Sequence, residues 1–262
     1  MDLPDIISSR REIKLRPVAE REAAIIEYRQ ILIAVLREIR AEVNRSIIPA
    51  YRVERDYQID SASWFQSLKA IAAQAIRLAL NKFTALFNRE SSSHAKSIKR
   101  AIKAGASVDV PTSVIIGSRK EAAIARTYIE RNTSLITSLS DDMIKRVEQA
   151  VYDAKLNNRS VSDLSKTLQK QFGIAKRRAD LIAVDQIASI NADLNEVRYR
   201  ELGINEYVWT SRRDERVRPL HIKLDGTRYK YGEKTGAENG LPPGKPINCR
   251  CVASPVIPSR DK

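Results

Sequence analysis

Apolar residues return at three- and four-residue steps over most of the chain, the spacing of a helix with one buried face. Ile25, Tyr28, Leu32, Val35, Ile39 and Val43 form such a stripe within about 17–45, with Glu and Arg on the other faces, and Pro49 is expected to end that helix. From about Ser63 to Asn88 two apolar lines run side by side: Trp64, Leu68, Ile71 and Ala75, then Ile76, Leu80, Phe83 and Phe87. Two lines predict two buried faces, and aromatics at this spacing read first as core and only second as anchors for a partner. His94, after three serines, is expected near a helix start, as a solvated or capping-region histidine.

The period breaks between Ala104 and Arg119, where Gly105, Ser107, Pro111, Ser113 and Gly117 gather. Helices are expected again over 121–130 and from Ser140, whose hydroxyl can cap while Asp141 and Asp142 suit the positive helix end. Ile144, Val147, Val151 and Ala154 mark the inner face of the second, which Asn157-Asn158 closes. A short helix with Leu164 and Leu168 is expected to stop at Gly173, and a longer one to run from about Ala175 to Leu202, with Gly203 as its terminal glycine.

After that the period changes to two. Glu206 to Ser211 reads as a strand with Tyr207, Trp209 and Ser211 on one face; Pro219 opens a short helix bearing His221; 227–229 is a second candidate strand; 232–245 is a Gly- and Pro-rich loop; and Cys249 to Val252 is a last short strand. The fold class is therefore mainly α-helical with a small α+β C-terminal domain. The divisions expected along the chain are an N-terminal helical region at 1–104, an irregular linker at 105–120, a helical part at 121–203 and a small α+β part at 204–262.

Composition adds a strong charge. The 262 residues carry 46 Lys and Arg against 32 Asp and Glu, a net charge of +14. Such a field attracts phosphate over roughly 8–10 Å at physiological salt. Nucleic acid is the natural partner, though an acidic protein surface would satisfy the same physics; Lys176, Arg177 and Arg178 are the candidate phosphate contacts, with a plain solvated face as the alternative. The opening Met-Asp-Leu-Pro-Asp lacks the apolar core of a signal peptide, and the longest apolar run, 31–36, is far short of the ~18–20 residues that span a bilayer. Synthesis in the cytoplasm and no membrane-spanning segment are the expectations.

Rare residue types crowd the last sixth of the chain. One of two histidines and both cysteines lie there, with one of two tryptophans shortly before, among glycines that permit sharp turns. Cysteines separated by one residue make poor disulfide partners, because bridge geometry needs converging Cβ vectors. Asp214, His221, Cys249 and Cys251 are instead the candidate ligands of a soft or borderline divalent ion, with zinc the natural choice for thiolate and imidazole donors. The alternative is that the cysteines are small buried hydrophobes and His221 bonds the loop. A hydrolase or metal-dependent nuclease would use Asp214 with His221, with Cys249 as a nucleophile, but no spacing demands it. The order Arg, Ser-Thr-Ser, Glu-x-Glu of ADP-ribosyl transfer is absent, since no Glu-x-Glu follows Ser91-Ser92-Ser93. No catalytic residue is assigned.

The order of short motifs carries a resemblance. An aromatic strand, Asp214-Glu215-Arg216-Val217-Arg218, His221, Leu224-Asp225-Gly226, Pro242-Pro243-Gly244 and Asn248-Cys249-Arg250-Cys251 together resemble the C-terminal domain of the Mu protein F-like family of phage head morphogenesis proteins. Upstream the likeness extends through 178–183 and 199–203. Many members carry Thr-Glu where this chain has Asp185-Gln186, so no role is carried to that position. The resemblance implies a minor head protein of the virion, located near the portal vertex. It would have portal protein, other head proteins and double-stranded DNA as partners, and a role in head assembly, DNA packaging or delivery. The rival to it, besides the hydrolase, is a free cytoplasmic nucleic-acid-binding protein.

Overall fold

The computed structural model describes residues 2–7, 11–54 and 62–259. Eight α-helices and four strands follow one another among the described residues: α1 Leu3–Ile6, β1 Ile13–Lys14, α2 Glu22–Glu42, α3 Ile48–Glu54, α4 Ala62–Ala106, α5 Thr112–Ile115, α6 Arg119–Leu156, α7 Val161–Glu201, β2 Glu206–Thr210, α8 Pro219–Leu224, β3 Arg228–Lys230 and β4 Val252–Ile257. The mainly helical class with a small C-terminal sheet is what the periodicity predicts. Contacts group the chain into two compact units, one made of Met1–Ile25, Phe87–Tyr128 and Val184–Lys262, the other of Ile26–Leu86 and Ile129–Ala183.

Among its described residues the second unit holds only helices and the short turns that join them. Its core takes Tyr28, Leu32, Val35 and Ile39 from α2, Leu68 and Phe83 from α4, Met143 and Val147 from α6 and Leu164 and Leu168 from α7. The expected stripes of α2 and α6 are thus the buried ones. Pro49 does not end the first helix as expected. A π-helical turn, Val43–Ile47, joins α2 to α3, and the Ile48 N–H reaches back to the Val43 carbonyl. Proline lacks an N–H and its ring presses on the carbonyl four residues earlier; the wider turn ahead of Pro49 accommodates both defects without a break.

Three other expected breaks are also absent. The helix expected over 63–88 continues to Ala106, so His94 lies in mid-helix and is 7% exposed rather than solvated. The helices expected at 121–130 and after Ser140 are one, α6. Gly173 is carried inside α7, which therefore joins the two helices expected on either side of it. In each case tertiary burial of the flanking apolar residues outweighs a local preference worth about 1 kcal/mol or less. Gly203 does end α7, with φ +79.

The first unit holds the sheet, antiparallel in the order β1-β4-β2-β3. Tyr207 on β2 faces Pro255 of β4 and Tyr229 of β3, and Trp209 faces Ala253. The last strand begins at Val252, so Cys249 and Cys251 precede it instead of lying in it. Leu3, Leu15, Ile98, Ile102, Tyr207 and Ile257 share one apolar cluster. The N-terminal segment is thereby built into the C-terminal sheet: Ile13 pairs with Ile257, and the Leu3 N–H bonds the Leu202 carbonyl at 2.9 Å.

Candidate metal centre

The rare residues of the last sixth converge because three short devices turn the chain tightly. Asp225 is the first. Its carboxylate accepts the Ser211 N–H at 2.8 Å and the Arg213 Nε–H at 2.7 Å, while the Gly226 N–H bonds the Trp209 carbonyl at 2.9 Å. The Leu-Asp-Gly motif is thus the clasp that closes the loop between β2 and β3. The second is α8, started by Pro219 at its first position, which places His221 inward at 2% exposure. The third is the Pro-Pro-Gly turn. Gly244 has φ +88, and a Cβ there would stand 3.2 Å from the Cβ of Ala192, so only glycine fits without displacement.

These devices bring His221, Cys249 and Cys251 together. Their donor atoms all lie within 4.8 Å of one another, and all three residues are buried. His221 Nδ1 is 3.4 Å from the Cys249 sulfur and 3.7 Å from the Cys251 sulfur. Zinc–ligand bonds of about 2.0–2.3 Å put neighbouring ligands of a tetrahedral ion roughly 3.5 Å apart, so both separations suit a shared ion. The other imidazole nitrogen, Nε2, lies 2.8 Å from the Glu238 carboxylate. A carboxylate on the far nitrogen fixes the ring and its tautomer, as at many metal-bound histidines. Trp209 packs edge-on against His221, with ring centroids 5.2 Å apart.

The two thiols are electrically unequal. A hydrogen bond from Cys251 lowers the pKa of Cys249, against the effect of burial, and the Gly244 N–H, 3.4 Å from its sulfur, acts in the same sense. The same sharing, with burial, raises Cys251. Each thiol thus biases the other, Cys249 towards the thiolate and Cys251 towards the protonated form. Among the described residues the buried Trp209 indole N–H has no partner in hydrogen-bond geometry, yet it is near enough to the Cys251 sulfur to favour a thiolate there. A second thiolate would give that orphan donor an acceptor, and a bound cation would supply the charge that two thiolates need.

Asp214 is not among the converging donors. Its carboxylate accepts from Arg250 at 2.5 Å and from the Arg216 N–H at 3.1 Å, and its side chain is 40% exposed. The reason is the alternation of the extended chain: Arg250, between the two cysteines, points away from them and takes Asp214 with it. Asp214 and His221 consequently form no acid–base pair. Thiol, imidazole and Glu238 carboxylate do stand in the order of a nucleophilic triad. With Cys249 3% and Cys251 2% exposed and both sulfurs set against the same nitrogen, the geometry favours ligation over attack on a substrate. Glu238 went unread in the sequence because it sits in a glycine-rich loop with no spacing to mark it. Of the basic run, Lys176 and Arg177 are exposed, whereas Arg178 ion-pairs with Asp142 and donates to Ser138 at 2.8 Å.

Residues 145–254 match the family model described as Phage Mu protein F like protein. That segment is similar to the family. The Mu F-like segment includes His221, Cys249 and Cys251, together with Glu238 and the Leu-Asp-Gly and Pro-Pro-Gly turns that aim them. A curated Haemophilus influenzae protein, described as uncharacterized, is 26% identical over 279 residues, covering 100% of this chain and 60% of its own length. The chain thus spans little more than half of that relative. No solved structure matches it significantly. Among the described residues no helix is long and apolar enough to cross a membrane.

Proposed function

We propose that this chain is a minor head protein of a phage, a non-catalytic virion component near the portal vertex. Portal protein and other head proteins are its protein partners, and it binds double-stranded DNA without sequence preference during assembly, packaging or delivery. The observation that carries this reading is the Mu F-like match over 145–254. The net charge of +14 supports the DNA part, since neutralising phosphates releases counterions whatever the sequence. The test is to purify heads at successive stages of assembly, and to ask whether the chain sediments with them and retains portal protein in a pull-down. Heads that lack it at every stage overturn the proposal.

The same reading gives the C-terminal cluster a structural role, with His221, Cys249 and Cys251 holding a zinc ion. Three protein donors leave one position of a tetrahedral ion open. When bound, the ion would supply Lewis-acid cross-linking of the loop at 244–251 to α8, in a region with few apolar residues to hold it otherwise. Elemental analysis should then find about one zinc per chain. Chelation or Cys249→Ser should shift Trp209 emission to the red and lower the stability of the sheet, with the long helices retained in circular dichroism. Metal-free protein in which Cys249→Ser changes neither signal would reduce the cysteines to packing residues.

A further inference from the structure

A pocket of about 270 Å³ in the all-helical unit belongs to none of the sites above. Its rim is polar and exposed: Arg40 and Asn44 on one side, Ser162, Ser165, Lys166 and Gln169 on the other. Its floor is apolar, with Val43, Leu168 and Phe172 buried. Among the described residues two cations and no carboxylate line it. The acids nearest in sequence are engaged elsewhere: Glu42 accepts from Arg45, Ser46 and Ser67, and Asp163 accepts from the Ser160 hydroxyl at 2.7 Å, although its charge is felt by Lys166 one turn on.

We propose that this pocket seats a phosphate group between Arg40 and Lys166. Three further features favour an anion there. The Arg40 guanidinium lies over the Phe172 ring at 5.9 Å, a cation–π contact that holds it at the rim. Ser162 is in the first turn of α7, where Ser160 takes the N–H groups of Asp163 and Leu164, while those of Val161 and Ser162 have no acceptor within the helix. That positive helix end adds to the two side-chain charges. The opposite wall is the π turn itself, which supplies Val43 and Asn44; such turns recur at functional sites. The volume falls just below the roughly 300–1,000 Å³ of pockets that enclose whole small molecules, so a phosphate or diphosphate fits better than an entire cofactor.

The phosphate comes from one of two sources, a DNA backbone or a free polyphosphate, and α7 favours the first. Lys166, Lys170 and Arg177 are all exposed and, at 100° per residue, fall within about 40° of one another around the helix. They form a track of about 16 Å leading from the pocket along one face, the form a nucleic-acid backbone follows. The pocket stands without the head-protein reading and shares with it only the DNA source.

The experiment compares the full chain with an Arg40→Gln/Lys166→Gln variant, titrating inorganic pyrophosphate by calorimetry and a duplex of random sequence over a range of salt. Both side chains are exposed, so the thermal melt should not move. We expect saturable pyrophosphate binding that the variant loses, and a fall of roughly 0.9 in the log–log salt slope for DNA, for the one phosphate contact removed. Pyrophosphate binding lost in the variant with DNA affinity unchanged supports the pocket and assigns it to a free polyphosphate. If the wild type binds no DNA yet loses pyrophosphate on substitution, the DNA reading fails and the pocket stands. No pyrophosphate binding together with an unchanged DNA slope overturns it.

Discussion

Among the described residues each unit has one most deeply buried charged side chain, and the two satisfy it over different distances along the chain. In the helical unit the charge is Glu42, 2% exposed, and two of its partners come from the next turn: Arg45, and Ser46 at 2.8 Å; Ser67 on α4 adds a third at 2.7 Å. In the sheet-bearing unit it is Arg198, fully buried on α7. It donates to the Ser91 carbonyl at 2.8 Å and hydroxyl at 2.6 Å, meets His94 Nδ1 at 2.9 Å and ion-pairs with Glu121. Those partners lie 77 to 107 residues away on α4 and α6. A buried charge with local partners stabilises one turn. A buried charge with distant partners ties three helices together, so losing it should be felt across its unit.

The largest expected effect follows from that difference. Arg198→Met leaves Glu121 buried beside two acceptors, and breaking a buried ion pair from one side costs about 3–5 kcal/mol. Each unit contains one tryptophan, Trp209 in the first and Trp64 in the second, so urea titrations in Trp64→Phe and Trp209→Phe backgrounds read them separately. The Trp209 midpoint should fall steeply while the Trp64 midpoint holds. A common shift of both would mean that the units unfold as one, and the comparison would lose its force.

Glu42→Gln is the matching test on the other side, and a smaller one. Hydrogen bonds from Ser67, Arg45 and Ser46 depress the Glu42 pKa from 4.5 to about 2. A carboxylate whose folded pKa is depressed adds stability that is complete above its unfolded pKa and lost as pH falls through the folded one. At pH 7 the substitution should therefore lower the Trp64 midpoint by about 1.5–3 kcal/mol, the worth of hydrogen bonds to a charged acceptor. The gap to wild type should narrow between pH 4.5 and pH 2. A gap that stays constant over that range would show that Glu42 acts through packing alone.

The same contrast explains what was legible in the chain. The stripe from Tyr28 to Val43 was readable because a buried helical face repeats locally, and those residues are buried. The helix breaks were misplaced where polar residues serve distant partners. Ser91 and His94 look like a helix boundary until Arg198, on another helix, is seen to take both. A local signal at the start of α6 was available and went unused. Ser118 accepts the Glu121 N–H at 3.0 Å and Glu121 accepts the Gly117 N–H at 3.1 Å, the Ser-x-x-Glu arrangement that starts helices. At the C-terminal cluster the residue types named His221 and the cysteines, but Asp214 and Glu238 could be sorted only by direction. One carboxylate faces Arg250 and the other faces the imidazole. The two-residue strand β1 has no period to read; its partner β4 lies more than 240 residues on.

The smallest effect sharpens the comparison within the Arg198 network. Burial first, and the Arg198 charge second, push the His94 pKa from 6.5 down to about 3. Arginine has no acceptor, so His94 Nδ1 must accept from it, and the ring is neutral with its proton on Nε2, which has no partner in hydrogen-bond geometry among the described residues. Between pH 6.5 and about 3 the unfolded chain binds a proton at His94 that the folded chain does not, so the first unit loses stability as pH falls through that window. One proton corresponds to a limiting slope of about 1.4 kcal/mol per pH unit, or about 1 kcal/mol between pH 6.5 and 5.5 once partial protonation is allowed for. His94→Asn, which keeps an acceptor for Arg198 but cannot titrate, should flatten the Trp209 midpoint over this range and leave Trp64 unaffected. Equal slopes in wild type and His94→Asn would mean that the buried imidazole takes up its proton in the folded state, and that the Arg198 network opens well before the unit unfolds.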